Sequence, residues 1–190
     1  QAMARCRTAG IKVIMVTGAA DQAGELSCRL TEQGARVYEC PTIKIEHPES
    51  FKELDEAITS LGTFDWLIFT STNAVTSFFA RLQELGRDSR AIGNCRICAA
   101  GPKTAAALTP YGIRADLVPP DYKVEGVAEV FKSLAISGKS VLFPKSDRAR
   151  EIIPSELRKL GAEVAAPIAY RTTTPVALRP EAQHALEEGR

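Results

Sequence analysis

The sequence predicts an α/β protein built from doubly wound parallel sheets, and three observations carry this prediction. Short runs of β-branched residues alternate along the chain with stretches of helical periodicity. Several helical stretches stop at a glycine, as at Gly34, Gly86 and Gly161. Strands separated by helices of about ten residues pair in parallel through crossover connections, which gives an open sheet with helices on both faces.

Each predicted element follows from the local pattern. The first strand is rich in β-branched residues, and the helix after it places Leu26 and Leu30 on one face. The same alternation then repeats to the end of the series. The predicted strands cover residues 13–17, 36–38, 66–70, 96–100, 115–118, 140–143 and 164–170. The predicted helices cover residues 22–33, 51–61, 74–85, 103–111, 124–134 and 150–160.

An internal repeat suggests how the chain divides into domains. The pattern Asp, Ala, Glu, then Gly-Ala-x-Val and Pro runs from Asp21 to Pro41 and again from Asp147 to Pro167. Two unrelated strand-helix-strand units could share it, because such helices often end at glycine. The alternative interpretation is that each copy leaves one domain and crosses to another, with the prolines marking extended connectors.

On that second interpretation the domain boundaries can be placed. Residues 46–168 form one complete α/β domain, and residues 11–40 with 172–190 form part of a first domain. Residues 41–45 and 169–171 are the two linker strands. The first domain then lies at the lower limit of ordinary domain size.

Composition limits the partners of this chain. Its 24 lysines and arginines nearly balance 23 aspartates and glutamates, so no overall basic field favours nucleic acid or an anionic membrane. The apolar runs are too short to cross a bilayer. Five cysteines without dense spacing favour reduced thiols in the cytoplasm, and we expect no structural disulfide.

Two strand-to-helix corners carry residue types that hold anions. The first contains Thr70, Ser71 and Thr72, and the second contains Gly101, Lys103 and Thr104. Hydroxyl residues cap helices whether or not a ligand binds, so the first corner has a purely structural explanation. A helix N-terminus also offers free backbone N–H groups and a positive dipole end, which suit a carboxylate or phosphate.

A third corner places cations at the start of a helix. It contains Lys145, Ser146 and Arg148. Positive charge is unfavourable at a helix N-terminus unless an anion lies between the cations, so the cluster indicates either a ligand site or a solvated surface. All three corners follow predicted parallel strands, where open α/β sheets bind ligands.

Other kinds of chemistry have little support in the sequence. Cys95-x-x-Cys98 opens a strand rather than a helix, which favours buried structural thiols over a redox pair. His47 and His184 stand apart from any cluster of ligand spacing, so we expect no metal site and no cofactor. Neither histidine lies beside a glycine-flanked nucleophile, and no catalytic triad can be built.

Six short motifs in this order resemble the uroporphyrinogen-III synthase family over residues 11–175. The motifs are Val16-Thr17 with Gln22-Ala23-x-Glu25, Pro41-Thr42-Ile43, Phe69-Thr70-Ser71-x-x-Ala74-Val75, Gly101-x-x-Thr104-Ala105, Leu142-Phe143-Pro144 and Ile168-Ala169-Tyr170-Arg171-Thr172. Each motif alone is degenerate, and their shared order and spacing make the resemblance specific.

The resemblance implies a cofactor-free cyclising lyase of tetrapyrrole biosynthesis, on the route to heme and cobalamin. Such enzymes have two α/β domains joined by a two-stranded linker, with the linear tetrapyrrole hydroxymethylbilane, which carries eight carboxylates, between them. The substrate loses a hydroxyl group, closes through a spiro-pyrrolenine with ring D inverted, and gives uroporphyrinogen III. Tyr170 matches the tyrosine proposed to assist the leaving hydroxyl, and Thr104 matches a threonine that lines the cleft. From sequence alone, Tyr170 could equally be a packing residue.

The sequence departs from the family pattern in two places. Gly18 stands where the family usually has arginine, and the motifs that complete the first domain do not follow residue 175. The resemblance therefore predicts a C-terminally truncated first domain, from a synthase that some bacteria fuse to a methyltransferase. We expect such a chain to self-associate through an uncovered strand edge and to be inactive alone. The alternative function is a non-catalytic two-domain module that binds an anionic small molecule.

Overall fold

The computed structural model describes residues 4–8, 11–121, 124–175 and 183–184. The chain divides into two compact units by its internal contacts. Unit 1 comprises Gln1–Glu46 and Thr172–Arg190, and unit 2 comprises His47–Arg171. The fold is mixed α/β with parallel sheets, as the sequence predicts.

In the described residues of its first segment, unit 1 has three strands and one helix. They are β1 (Ala4–Thr8), β2 (Ile11–Ala19), α1 (Ala20–Glu32) and β3 (Arg36–Glu46). β2 pairs in parallel with β3, and β1 pairs antiparallel with the other edge of β2. The sequence prediction missed β1, and β2 was expected to have an uncovered edge. That expectation is wrong because β1 occupies the edge, so self-association has no basis in an open edge of β2.

Unit 2 contains the remaining elements. They are α2 (Lys52–Thr59), β4 (Trp66–Phe69), α3 (Thr72–Glu84), β5 (Arg96–Ala99), α4 (Pro102–Ala106), α5 (Val124–Lys132), β6 (Ser140–Leu142), β7 (Lys145–Ser146), α6 (Ile152–Lys159), β8 (Glu163–Ala165) and β9 (Ile168–Thr173). Short 3₁₀ turns cover Leu61–Thr63, Ser89–Ile92 and Thr109–Tyr111. β9 continues past Arg171 into the second segment of unit 1.

The main sheet of unit 2 has four parallel strands in the order β5-β4-β6-β8. Every residue of β4 is buried, because helices cover both faces of the sheet. On one face Trp66 packs edge-on against Phe131 of α5, with ring centroids 5.0 Å apart. Elsewhere on β4 the Phe69 ring meets Phe78 and Phe79 of α3. Burial from two sides explains why the sequence of this strand is a continuous apolar run.

The repeated glycines end α1 and α6 in the same way. Gly34 has a φ of 79° and Gly161 a φ of 87°, a left-handed conformation that glycine adopts without strain. At both positions the glycine N–H donates to the carbonyl three residues earlier, and the next N–H donates to the carbonyl five residues earlier, at 2.9 to 3.1 Å. This is the Schellman arrangement, so the predicted helix stops at these glycines are confirmed.

Three predicted elements differ from the structure. The strand over 115–118 is reduced to a single bridge between Leu117 and Cys98. The strand over 164–170 is two strands, β8 and β9, because Pro167 interrupts it and cannot donate to a ladder. The helix over 103–111 is the short α4 followed by a 3₁₀ turn.

Within the described part of the chain, no helix combines the length and apolar character needed to cross a membrane.

Candidate functional site

The strand order of unit 2 contains a topological switch point between β4 and β6, and we call the region outside the carboxyl ends of these two strands the switch-point crevice. The chain passes from β4 to β5 on one side and then returns to place β6 on the other side of β4. Open α/β sheets bind ligands outside the carboxyl ends of the two strands at such a reversal. The corner Thr70–Thr72 follows β4, and the corner from Phe143 to Arg150 follows β6. Two of the three predicted corners therefore flank this switch point.

Ser71 caps the helix at the first corner. Its backbone is extended, with φ −151° and ψ 154°, and its Oγ accepts a hydrogen bond of 3.1 Å from the Ala74 N–H. This satisfies one of the free N–H groups of α3. Thr70 is half-buried and Thr72 is exposed. The capping explanation for this corner is thus confirmed, and Ser71 has a second contact as well.

Tyr170 links the two corners of the switch point. Its phenolic oxygen lies 3.1 Å from the Ser71 Oγ, although the two residues are 99 positions apart in the chain. Its backbone carbonyl accepts a 3.1 Å hydrogen bond from the Asp147 N–H, and it pairs with Ser146 where β9 runs beside β7. Tyr170 is 8% exposed. The hydroxyl group of Tyr170 is therefore held by the β4 corner, and its backbone is held by the β6 corner.

The Gly101 corner follows β5, the neighbour of β4. The Ala100 N–H donates to the Phe69 carbonyl at 2.8 Å, which ties this corner to the end of β4. Gly101 is the N-cap of α4, Thr104 is 6% exposed and Lys103 is exposed. α4 has only five residues, and of its two predicted site residues the Lys103 side chain is open to solvent whereas Thr104 is buried.

The third corner contains its own counter-ion. The Lys145 ammonium group forms an ion pair with the carboxylate of Glu151, the residue that precedes α6. The anion that this cationic cluster needs therefore comes from the chain itself. Ser146 donates to the Asp147 carboxylate and accepts from the Arg148 N–H, both at 3.1 Å, and the Arg148 side chain is exposed. Arg148 is the better placed of the two predicted cations to meet a ligand.

Sequence reasoning missed a groove beside the Tyr170 strand. The groove has a volume of about 460 Å³, and its lining includes Glu49, Lys52, Ile168 and Arg171. Arg171 donates a 2.8 Å hydrogen bond to Glu49, and Ile168 is 37% exposed. The sequence feature that could have indicated this groove is Arg171, a charged residue that directly follows Tyr170.

The Cys95-x-x-Cys98 pair is buried at β5, as expected. Cys95 is 8% exposed and Cys98 is fully buried. Burial raises the pKa of each thiol to about 12, and the carboxylates of Asp65 and Asp116 add to the rise in the pKa of Cys95. Both thiols are protonated near neutral pH, which excludes the thiolate needed for redox exchange.

Together these features define an α/β protein with a pair of hydroxyl side chains at the switch point of a parallel sheet. The hydroxyls of Ser71 and Tyr170 meet there, and the corners after β5 and β6 carry the exposed cations Lys103 and Arg148. Hydroxyl and N–H donors beside Lys103 and Arg148 suit a ligand that carries carboxylates.

Comparisons with known proteins give the family. Residues 24–190 match the family model described as uroporphyrinogen-III synthase HemD. The uroporphyrinogen-III synthase of Synechococcus elongatus is 36% identical over 178 residues, covering 93% of this chain and 67% of that protein. The Escherichia coli enzyme of the same name is 30% identical over 152 residues, covering 80% of this chain and 61% of its own. The chain thus spans about two thirds of these relatives.

A solved structure agrees with the fold. A mutant uroporphyrinogen III synthase from the extremely thermophilic bacterium Thermus thermophilus matches with a TM-score of 0.59 at 17% identity, covering 91% of this chain and 69% of that one. The chain belongs to the uroporphyrinogen-III synthase family, whose members are cyclising lyases.

Proposed function

We propose that the switch-point crevice of unit 2 is part of a uroporphyrinogen-III synthase active site that cyclises hydroxymethylbilane with inversion of ring D. The observation that carries the proposal is the 3.1 Å contact between Ser71 Oγ and the Tyr170 hydroxyl. It supports the proposal because two hydroxyl groups meet at the switch point, where such folds bind ligands. Family membership supplies the reaction, and the contact supplies a residue able to assist it.

The roles of the residues follow from their chemistry. Tyr170 donates a hydrogen bond to the hydroxyl group that leaves the substrate, so that it departs as water. Lys103, Arg148 and the hydroxyl groups of Thr70 and Thr72 bind substrate carboxylates, while Lys145 is mainly a partner of Glu151. The tetrapyrrole supplies most of the reactivity, so the main task of the protein is to hold the chain ends in the geometry for inverted closure.

The same proposal assigns the two units to the two predicted domains. The unit boundaries fall after Glu46 and Arg171, next to the predicted linker segments 41–45 and 169–171. Both segments are extended, because they lie within β3 and β9. Limited proteolysis at these segments, followed by mass measurement, tests the assignment: cleavage inside residues 47–168 first would contradict it.

The test of the function is Tyr170→Phe in the complete protein, compared with Tyr111→Phe. Both changes remove one phenolic hydroxyl from unit 2, and Tyr111 lies in the 3₁₀ turn Thr109–Tyr111, where its ring stacks on Phe79 with centroids 4.0 Å apart. We expect Tyr170→Phe to lower kcat by about a hundredfold, with a small change in KM, because general acids contribute about that much. Tyr111→Phe should leave kcat close to the parent value.

Product analysis separates this function from the binding module. Hydroxymethylbilane closes spontaneously to the type I isomer, so the ratio of type III to type I product reports catalysis directly. A complete protein that yields only type I product would refute the proposal. Tetrapyrrole binding without turnover, with Tyr170→Phe weakening binding by about 0.5–1.5 kcal/mol, would instead identify a binding module.

A further inference from the structure

Ser71 makes two hydrogen bonds through one hydroxyl group. Its Oγ accepts from the Ala74 N–H at 3.1 Å and lies 3.1 Å from the Tyr170 hydroxyl. Capping α3 requires only the first of these contacts. The second reaches a residue whose backbone is already fixed by the β7 strand.

The protons of this group can be counted. A serine hydroxyl has one proton and two lone pairs, and a backbone N–H can only donate. Ala74 therefore occupies one lone pair of Ser71 Oγ, and the Ser71 proton is free to be donated to the Tyr170 oxygen. When Ser71 donates, the Tyr170 proton cannot point at Ser71 and is directed to another acceptor.

We propose that Ser71 is a positioning residue that donates its proton to the Tyr170 oxygen and so directs the Tyr170 proton into the crevice. This inference rests on the proposed function, since it concerns the proton that Tyr170 gives to the leaving hydroxyl. The Ala74 amide fixes the Ser71 oxygen, and the strand pairing of β9 with β7 fixes the tyrosine backbone. The phenol then has a defined orientation before substrate arrives.

Three substitutions at Ser71 separate positioning from capping. Thr keeps the hydroxyl and caps a helix, Asp caps a helix but has no proton to donate when ionised, and Ala does neither. A carboxylate at this position would accept a hydrogen bond from the Tyr170 hydroxyl, so that the Tyr170 proton would point away from the crevice. We expect Ser71→Thr to retain most of kcat, and Ser71→Ala and Ser71→Asp to lower kcat about tenfold or more with little change in KM.

A purely structural role predicts a different order. If Ser71 only caps α3, then Ser71→Asp retains kcat as well as Ser71→Thr does, and kcat follows the thermal midpoint. The midpoint of each variant is measured by the fluorescence of Trp66, the one tryptophan of the chain, which is 7% exposed in the same unit. Loss of kcat in Ser71→Asp at a parental midpoint supports the proposal, and retention of kcat overturns it.

A double substitution tests whether Ser71 acts through Tyr170. If Ser71 acts through Tyr170, adding Ser71→Ala to Tyr170→Phe lowers kcat no further, whereas independent action multiplies the two losses and overturns the inference. Tyr170→Phe with a parental kcat refutes the proposed function and, with it, this inference. Loss of kcat in Tyr170→Phe combined with full activity in Ser71→Asp refutes the inference alone.

Discussion

Leu142→Ala tests whether the sheet of unit 2 is the core that holds the crevice in place. Leu142 lies in β6, opposite Leu67 of β4 on one side and Ala165 of β8 on the other. Its side chain is fully buried. Truncation removes three carbon atoms from one buried face of the sheet, because strand side chains project above and below it.

The size of the effect can be worked from this burial. A buried leucine truncated to alanine costs about 2–5 kcal/mol, from lost transfer free energy and the cavity left behind. Globular domains have about 5–15 kcal/mol of stability in total. With a shift of about 4 °C for each kcal/mol in a unit of this size, Leu142→Ala should lower the thermal midpoint by about 8–20 °C.

The assay is urea unfolding of the full chain followed by Trp66 fluorescence, with Leu85→Ala as the matched control. Trp66 reports on unit 2 because it packs against Phe131 in the same core. Leu85 loses the same atoms but is 38% exposed, so its variant should stay within about 0.5 kcal/mol of the parent. Equal losses in the two variants, or a change confined to the urea m-value, would refute the reasoning.

Two further predictions concern titrating groups in unit 2. Arg81 donates two 2.6 Å hydrogen bonds to Asp55 and holds the pKa of that carboxyl below its usual 3.8. The contribution of the ion pair to folding stability is therefore complete above pH 3.8 and is lost as the pH falls through the lowered pKa. Asp55→Asn should therefore be less stable than the parent near neutral pH, and the difference should shrink in urea titrations as the pH falls below the usual carboxyl pKa of 3.8; a constant difference would contradict this. Because burial raises the pKa of Cys95 and Cys98 to about 12, a thiol reagent at about pH 8 should label them only after unfolding, and rapid labelling of the native chain would contradict their burial.

Local patterns predicted most of unit 2 because its strands are buried on both faces. The apolar run Trp66–Phe69 lies between two amphipathic helical stretches, and this pattern predicts a strand buried on both faces. β1 was missed because no local pattern in residues 4–8 distinguishes a strand. These residues form a strand through their pairing with β2. The predicted strand at 115–118 fails for a local reason, since Pro119 and Pro120 follow it directly and lack the N–H groups that a ladder needs.

The site was predictable as a set of corners but not as a set of contacts. Helix-capping residues at strand ends marked Ser71 and Gly101, and a strand-end position marked Tyr170. The contact between Ser71 and Tyr170 depends on the strand order, which no local pattern contains. The pairing of Lys145 with Glu151 could have been foreseen, because an acidic residue at a helix start commonly neutralises cations nearby.

The hydrogen bond between Glu49 and Arg171 has a consequence for how the whole chain assembles. These residues stand at the beginning and the end of unit 2, and their 2.8 Å contact means that the chain leaves this unit close to where it enters. Unit 2 is thus an insertion between the two segments of unit 1. Closing a loop of more than a hundred disordered residues costs about 3 kcal/mol more than closing one of a few residues. A folded insertion spares unit 1 that entropy, so a substitution that unfolds unit 2 also weakens unit 1 without touching any residue in it.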